Sequence, residues 1–129
     1  MAERILLDTN ALSAIADSDP KALKKFQAAT VVCIPVIVLG EYLFGINQSR
    51  FRHEYEQWLA ALPSDIRVLE VTRETAGFYA RVRAQLKKAG TPIPSNDLWI
   101  AALSRQHSLD LLSRDRHYDA VQGLRRIDW

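Results

Sequence analysis

Apolar residues fall along this chain in runs of two kinds. The short ones, Ile5-Leu6-Leu7 and Val31 to Ile34, are too brief for helices and rich in branched side chains, so they predict buried strands. Between them, Asp8-Thr9-Asn10 offers capping side chains to a helix starting near Ala11, and Ser18-Asp19-Pro20 ends it and opens another through Phe26. Pro35 suits a helix start, and the pattern stays helical to Asn47. Phe51 to Leu62 predicts a separate amphipathic helix with Tyr55, Trp58, Leu59 and Leu62 on one face, ended by Pro63-Ser64. Val68 to Val71 predicts a third strand. Thr72 and Thr75 then open a helix with Tyr79, Val82 and Leu86 on one stripe, ended by Gly90-Thr91-Pro92. Ser95 to Gln106 predicts a further helix, Leu109 to Ser113 a strand, and Leu124 to Ile127 an edge strand. Strands alternating with helices imply an α/β fold, its largely parallel sheet covered on both faces.

No repeat or linker interrupts the pattern, so residues 1–129 are expected to form one domain. The apolar stretch Thr30 to Ile46 contains Pro35, Gly40, Glu41 and Gly45, and is shorter than the roughly twenty apolar residues a membrane span needs. The first residues show no secretory signal pattern, so a cytoplasmic protein is expected. A composition with 48% hydrophobic and 25% charged residues excludes disordered and fibrous classes. The lone Cys33 excludes an internal disulfide and a cysteine zinc cage, and reads as core packing. Neither Gly-x-x-x-x-Gly-Lys nor Gly-x-Gly-x-x-Gly occurs, which removes kinase-like and dinucleotide-binding readings. An aspartyl-phosphate phosphatase would need an aspartate where Asn10 stands.

The acids carry the remaining information. Asp8 and Asp115 each follow a predicted strand, where open α/β sheets bind ligands, although Asp is also a common turn residue. Glu41 is the only charged residue between Lys25 and Arg50, on a predicted helix face shared with Ile37, Val38, Phe44 and Gly45. A carboxylate there should be ion-paired, protonated or close to a metal. Asp97 lies in a first helical turn, favoured by the helix dipole, and its small face partners Ala101 and Ser104 leave room for a ligand. Four such acids in one cleft would repel one another unless a cation compensates, and oxygen donors suit Mg²⁺ or Mn²⁺ better than zinc. Arg114 and Arg116 flank Asp115, and Arg50, Arg52 and His53 follow the Glu41 helix, so these could attract phosphates while Trp99 stacks on bases. Asp119 and His117 read as solvated turn and loop hydrogen bond, and Arg81, Arg83, Lys87 and Lys88 as a solvated helix face. Trp58 and Trp129 read as core or dimer interface. The net charge of +2, seventeen basic against fifteen acidic residues, becomes +6 when the four acids are set aside and seventeen face eleven. A basic exterior around an acidic pocket suits an RNA partner.

In order and spacing, Leu6-Leu7-Asp8-Thr9-Asn10, Gly40-Glu41 with Gly45, Asn96-Asp97 with Ile100-Ala101-Ala102, and Ser113-Arg114-Asp115-Arg116-His117-Tyr118 span nearly the whole chain. In these segments it resembles the PIN-domain ribonucleases, and within them the VapC-like toxins of toxin–antitoxin pairs. The resemblance implies a three-layer α/β/α sandwich with a short-stranded, largely parallel central sheet. It implies that Asp8, Glu41, Asp97 and Asp115 form the catalytic site, with Asp8 and Asp97 as direct metal ligands and Asn10 and Ser113 orienting them. It further implies endonucleolytic hydrolysis of RNA by metal-activated water, a homodimer, and inhibition by a cognate antitoxin that inserts a peptide into the active-site groove. The competing readings are a catalytically silent PIN-like module that binds RNA or protein, and a PIN nuclease that is not a toxin.

Overall fold

A computed structural model describes residues 3–129. Five short strands, β1 (Arg4–Leu7), β2 (Val31–Pro35), β3 (Arg67–Leu69), β4 (Asp110–Leu112) and β5 (Arg126–Ile127), form one sheet in the order β3-β2-β1-β4-β5. Every neighbouring pair is parallel, with Leu6 opposite both Cys33 and Leu111. The helices are α1 (Thr9–Ala16), α2 (Pro20–Ala28), α3 (Val36–Ile46), α4 (Arg52–Ala60), α5 (Arg73–Ala89) and α6 (Ser95–His107). From β1 the chain moves outward through β2 to β3 and then returns past β1 to β4. With right-handed crossovers, the reversal puts α1 to α4 on one face and α5 and α6 on the other, making three layers. α1 packs on α2 and α3, and α5 runs along α6.

The core follows from the runs that predict the strands. Ile5, Leu6, Leu111 and Leu112 are fully buried, with Leu12 and Val38 beneath one face and Val82, Ile100 and Leu103 beneath the other. Each such side chain stabilises the fold by about 2 kcal/mol relative to exposure, enough together to offset a group of mutually repelling carboxylates at the sheet's end. Cys33 is buried in this core.

Several boundaries differ from the sequence expectation for local reasons. α1 begins at Thr9 rather than near Ala11, because the Asp8 carboxylate accepts the Thr9 N–H and caps the helix itself. β3 stops at Leu69, leaving Val71 outside the sheet, and Val68 is exposed on this edge strand. The final strand shrinks to Arg126–Ile127, and the amphipathic helix to Arg52–Ala60. α5 meets expectation at both ends: Thr72 and Thr75 form a reciprocal capping box, and Gly90 ends the helix at φ +74. Among the described residues, no helix is long and apolar enough to cross a membrane.

Candidate active site

β1 and β4 lie side by side, on either side of the point where the strand order reverses, and both release their chains at the same end of the sheet. Asp8 leaves β1 there and is only 5% exposed. Its carboxylate accepts the Thr9 N–H at 2.8 Å, the Ser113 hydroxyl at 2.6 Å and the Asn10 side-chain amide at 3.3 Å. Ser113, fully buried after β4, also accepts the Asp115 N–H at 2.9 Å. Asn10 in turn accepts the Arg114 N–H at 3.3 Å. Asn10 and Ser113 therefore fix the loop that carries Asp115 against Asp8.

Glu41 arrives from α3 and Asp97 from the first turn of α6. Glu41 is half-buried, accepting the Thr9 hydroxyl at 2.9 Å and the Asn96 amide at 3.4 Å. Its helix face is apolar but not enclosed: Val38 is buried, whereas Phe44 is 79% exposed. The carboxylate is accordingly held at a rim by two hydrogen bonds. Sequence reasoning placed Thr9 and Asn96 in motifs beside candidate acids but gave neither a part in holding Glu41.

The four carboxylates share one electrostatic environment. Burial holds Asp8 above its ordinary value, opposed by its bonds from Ser113 and Thr9 and reinforced by Asp115 and Glu41. Asp97 is raised by burial first and then by Asp8, with Asp115 and Glu41 adding to the repulsion. Tyr118 sits beneath them with no exposed surface, and its own proton is held tightly by burial and by the negative charge of Asp8 and Asp97. Its hydroxyl completes no hydrogen bond of ordinary geometry, yet lies close enough to Asp97 to favour the carboxylate form. Carboxylates that repel one another in a partly buried cleft are what a divalent cation would relieve, so the residues present fit such an ion.

The tightest grouping includes a residue that sequence reasoning set aside. One ligand atom each from Asp97, Asp115 and His117 lie within 4.8 Å of one another, whereas Asp8, its oxygens engaged with Ser113, Thr9 and Asn10, stands outside that group. Asp119 is away from these acids in a two-toothed bond with Arg126, at 2.8 and 3.2 Å. Arg114 lies 4.5 Å over the Trp129 ring and donates to the Trp129 carbonyl, so its guanidinium is tied to the C-terminal residues. Arg116 is exposed beside Asp115. Trp99 does not offer a free platform for a base: its ring stacks on Tyr79 with centroids 4.0 Å apart.

Known proteins resemble this chain over nearly its whole length. The chain is 28% identical to ribonuclease VapC2 of Haemophilus influenzae over 98% of both chains. It is 29% identical to ribonuclease VapC5 of Mycobacterium tuberculosis, over 95% of this chain and 91% of that one. Its fold matches the crystal structure of VapBC-5, a member of the VapBC family of toxin–antitoxin systems from Mycobacterium tuberculosis, with a TM-score of 0.77, 25% identity and full coverage of both chains. The family model of the PIN domain spans residues 5–124. With that model matching nearly its whole length, and the acids placed where the sheet's strand order reverses, the chain belongs to the PIN domain family.

Proposed function

We propose that this protein is a metal-dependent endoribonuclease that acts in the cytoplasm as the toxin of a toxin–antitoxin pair, on a single PIN domain. The observation that carries the reading is the convergence of Asp8, Glu41, Asp97 and Asp115 from four separate segments, with Asp8 and Asp97 held above the ordinary carboxylate range by burial and mutual repulsion. A surface that only bound phosphate would gain nothing from such a cluster. The relatives named as ribonucleases support the activity, and the matching toxin–antitoxin structure supports a small antitoxin protein as partner.

In this reading the four carboxylates hold Mg²⁺ or Mn²⁺, with Asp8 and Asp97 as direct ligands and Asn10 and Ser113 fixing Asp8. The cation, when bound, activates water and offsets charge on the phosphodiester undergoing in-line displacement. Glu41, fixed by Thr9 and Asn96 at the rim, orients water on the substrate side. Arg116 draws the RNA backbone towards the acids, and exposed Leu43 and Phe44 on α3 supply apolar surface for a second copy of the chain.

The test is cleavage of single-stranded or loop-containing RNA. Activity should require Mg²⁺ or Mn²⁺, vanish with a chelator, and fall by about 100-fold or more in Asp8→Asn, a change that keeps a helix cap in place. Undiminished cleavage by Asp8→Asn would overturn the reading.

A further inference from the structure

We propose that His117 is a nitrogen ligand of the site's cation, making the site a mixed imidazole–carboxylate centre that favours Mn²⁺ over Mg²⁺. The inference rests on the metal-dependent reading above and adds to it two ligands, His117 and with it Asp115, and a metal preference. The His117 Nδ1 atom lies 3.1 Å from an Asp115 oxygen and 3.9 Å from an Asp97 oxygen. Two donors each about 2.1 Å from an octahedral cation lie about 3.0 Å apart when adjacent and about 4.2 Å apart when opposite. Both separations fall within that span.

A loop hydrogen bond explains less. The backbone already ties His117 to Asp115, whose Oδ1 accepts the His117 N–H at 3.0 Å and caps the 3-10 turn Arg116–Ala120. The imidazole adds an approach to Asp97, which belongs to α6, so three donors from two distant segments converge. Independently, the fully buried Tyr118 hydroxyl beside Asp97 completes no hydrogen bond of ordinary geometry, which leaves a donor that water carried by a bound cation would satisfy. The His117 side chain is 61% exposed, so the ring is reachable from solvent. An all-oxygen set suits Mg²⁺, whereas an imidazole in the set favours a softer divalent ion of the first transition row.

The experiment uses tag-free protein loaded with Mn²⁺, read by pulsed electron paramagnetic resonance and by calorimetric titration. The wild-type spectrum should show nitrogen modulation from a directly bound imidazole, and His117→Gln should lose it. In His117→Gln the affinity for Mn²⁺ should fall about tenfold or more, and that for Mg²⁺ by less than about threefold. Mn²⁺ bound without nitrogen modulation, or modulation that survives in His117→Gln, overturns this inference and leaves the nuclease reading standing. A wild-type protein that binds neither cation overturns both.

Discussion

Asp97 illustrates what a buried carboxylate among like charges costs the fold. It is held above its ordinary value by burial and by Asp8, Asp115 and Glu41. Between the unfolded and the raised folded pKa, the folded protein binds more protons than the unfolded chain, so metal-free stability falls as pH rises through that window and stays lower above it. Asp97→Asn keeps the side-chain shape and removes the charge. Without metal at neutral pH it should raise the midpoint of thermal unfolding by a few degrees, about 1 kcal/mol, with the gain fading as pH drops below the ordinary carboxylate range. Adding Mn²⁺ should reverse the ranking, since the ion stabilises only the protein that binds it. Thermal scans across pH, with and without Mn²⁺, check both parts; a variant less stable than wild type in the metal-free state at neutral pH would refute the repulsion argument.

At the scale of elements, α6 carries Asp97 at its start and is anchored to α5 near its end. The Thr75 hydroxyl, fully buried, donates to the Gln106 side-chain oxygen at 2.6 Å and accepts the Thr72 N–H at 2.9 Å. Thr75→Val preserves shape but removes the capping box and the bond to Gln106, whose solvent-accessible partners turn to water, so it should cost about 1 kcal/mol in denaturant unfolding. Gln106 lies nine residues beyond Asp97, about 13 Å along the helix, so cleavage per folded molecule should stay within about twofold of wild type. The Thr72–Thr75 cap was readable in the sequence, as was every strand and helix, because each has its own local pattern. What local pattern could not supply was pairing between distant segments. β3 is fixed by its register on β2, Cys33 opposite Arg67, so Glu70 and Val71 fall outside despite their strand-like run. Trp99 is taken up by Tyr79 because α5 and α6 lie together, and His117 meets Asp97 because a 3-10 turn comes close to the first turn of α6. The four acids were legible as outliers in their settings; Thr9, Asn96 and Tyr118 were not, since each is ordinary until folding brings it to them.

For the molecule as a whole, the question is which cations remain available to a polyanion once internal pairing is counted. Arg126 is bound to Asp119, Asp128 and the Ser113 carbonyl and has a side chain only 12% exposed, so it belongs to the scaffold. Arg125 faces Asp110 and Glu3, and Arg52 faces Glu56. Arg114 is pinned over Trp129 with Asp128 3.6 Å away, so much of its charge is answered internally. Arg116, exposed beside Asp115, forms no hydrogen bond or ion pair with an acid among the described residues, although its charge reaches Asp119, and so is the freer of the two flanking arginines. These differences predict distinct salt dependences for binding a single-stranded RNA, measured with the Asp8→Asn protein to prevent cleavage. Arg116→Ala should weaken binding and flatten the plot of log affinity against log salt by about 0.7, the contribution of one phosphate contact. Arg114→Ala should flatten it by less, because Asp128 already offsets that charge. If Arg126→Ala gave the largest loss of slope while remaining fully folded, the basic surface that meets RNA would lie on the Asp119 side of the 3-10 turn and not beside the acids.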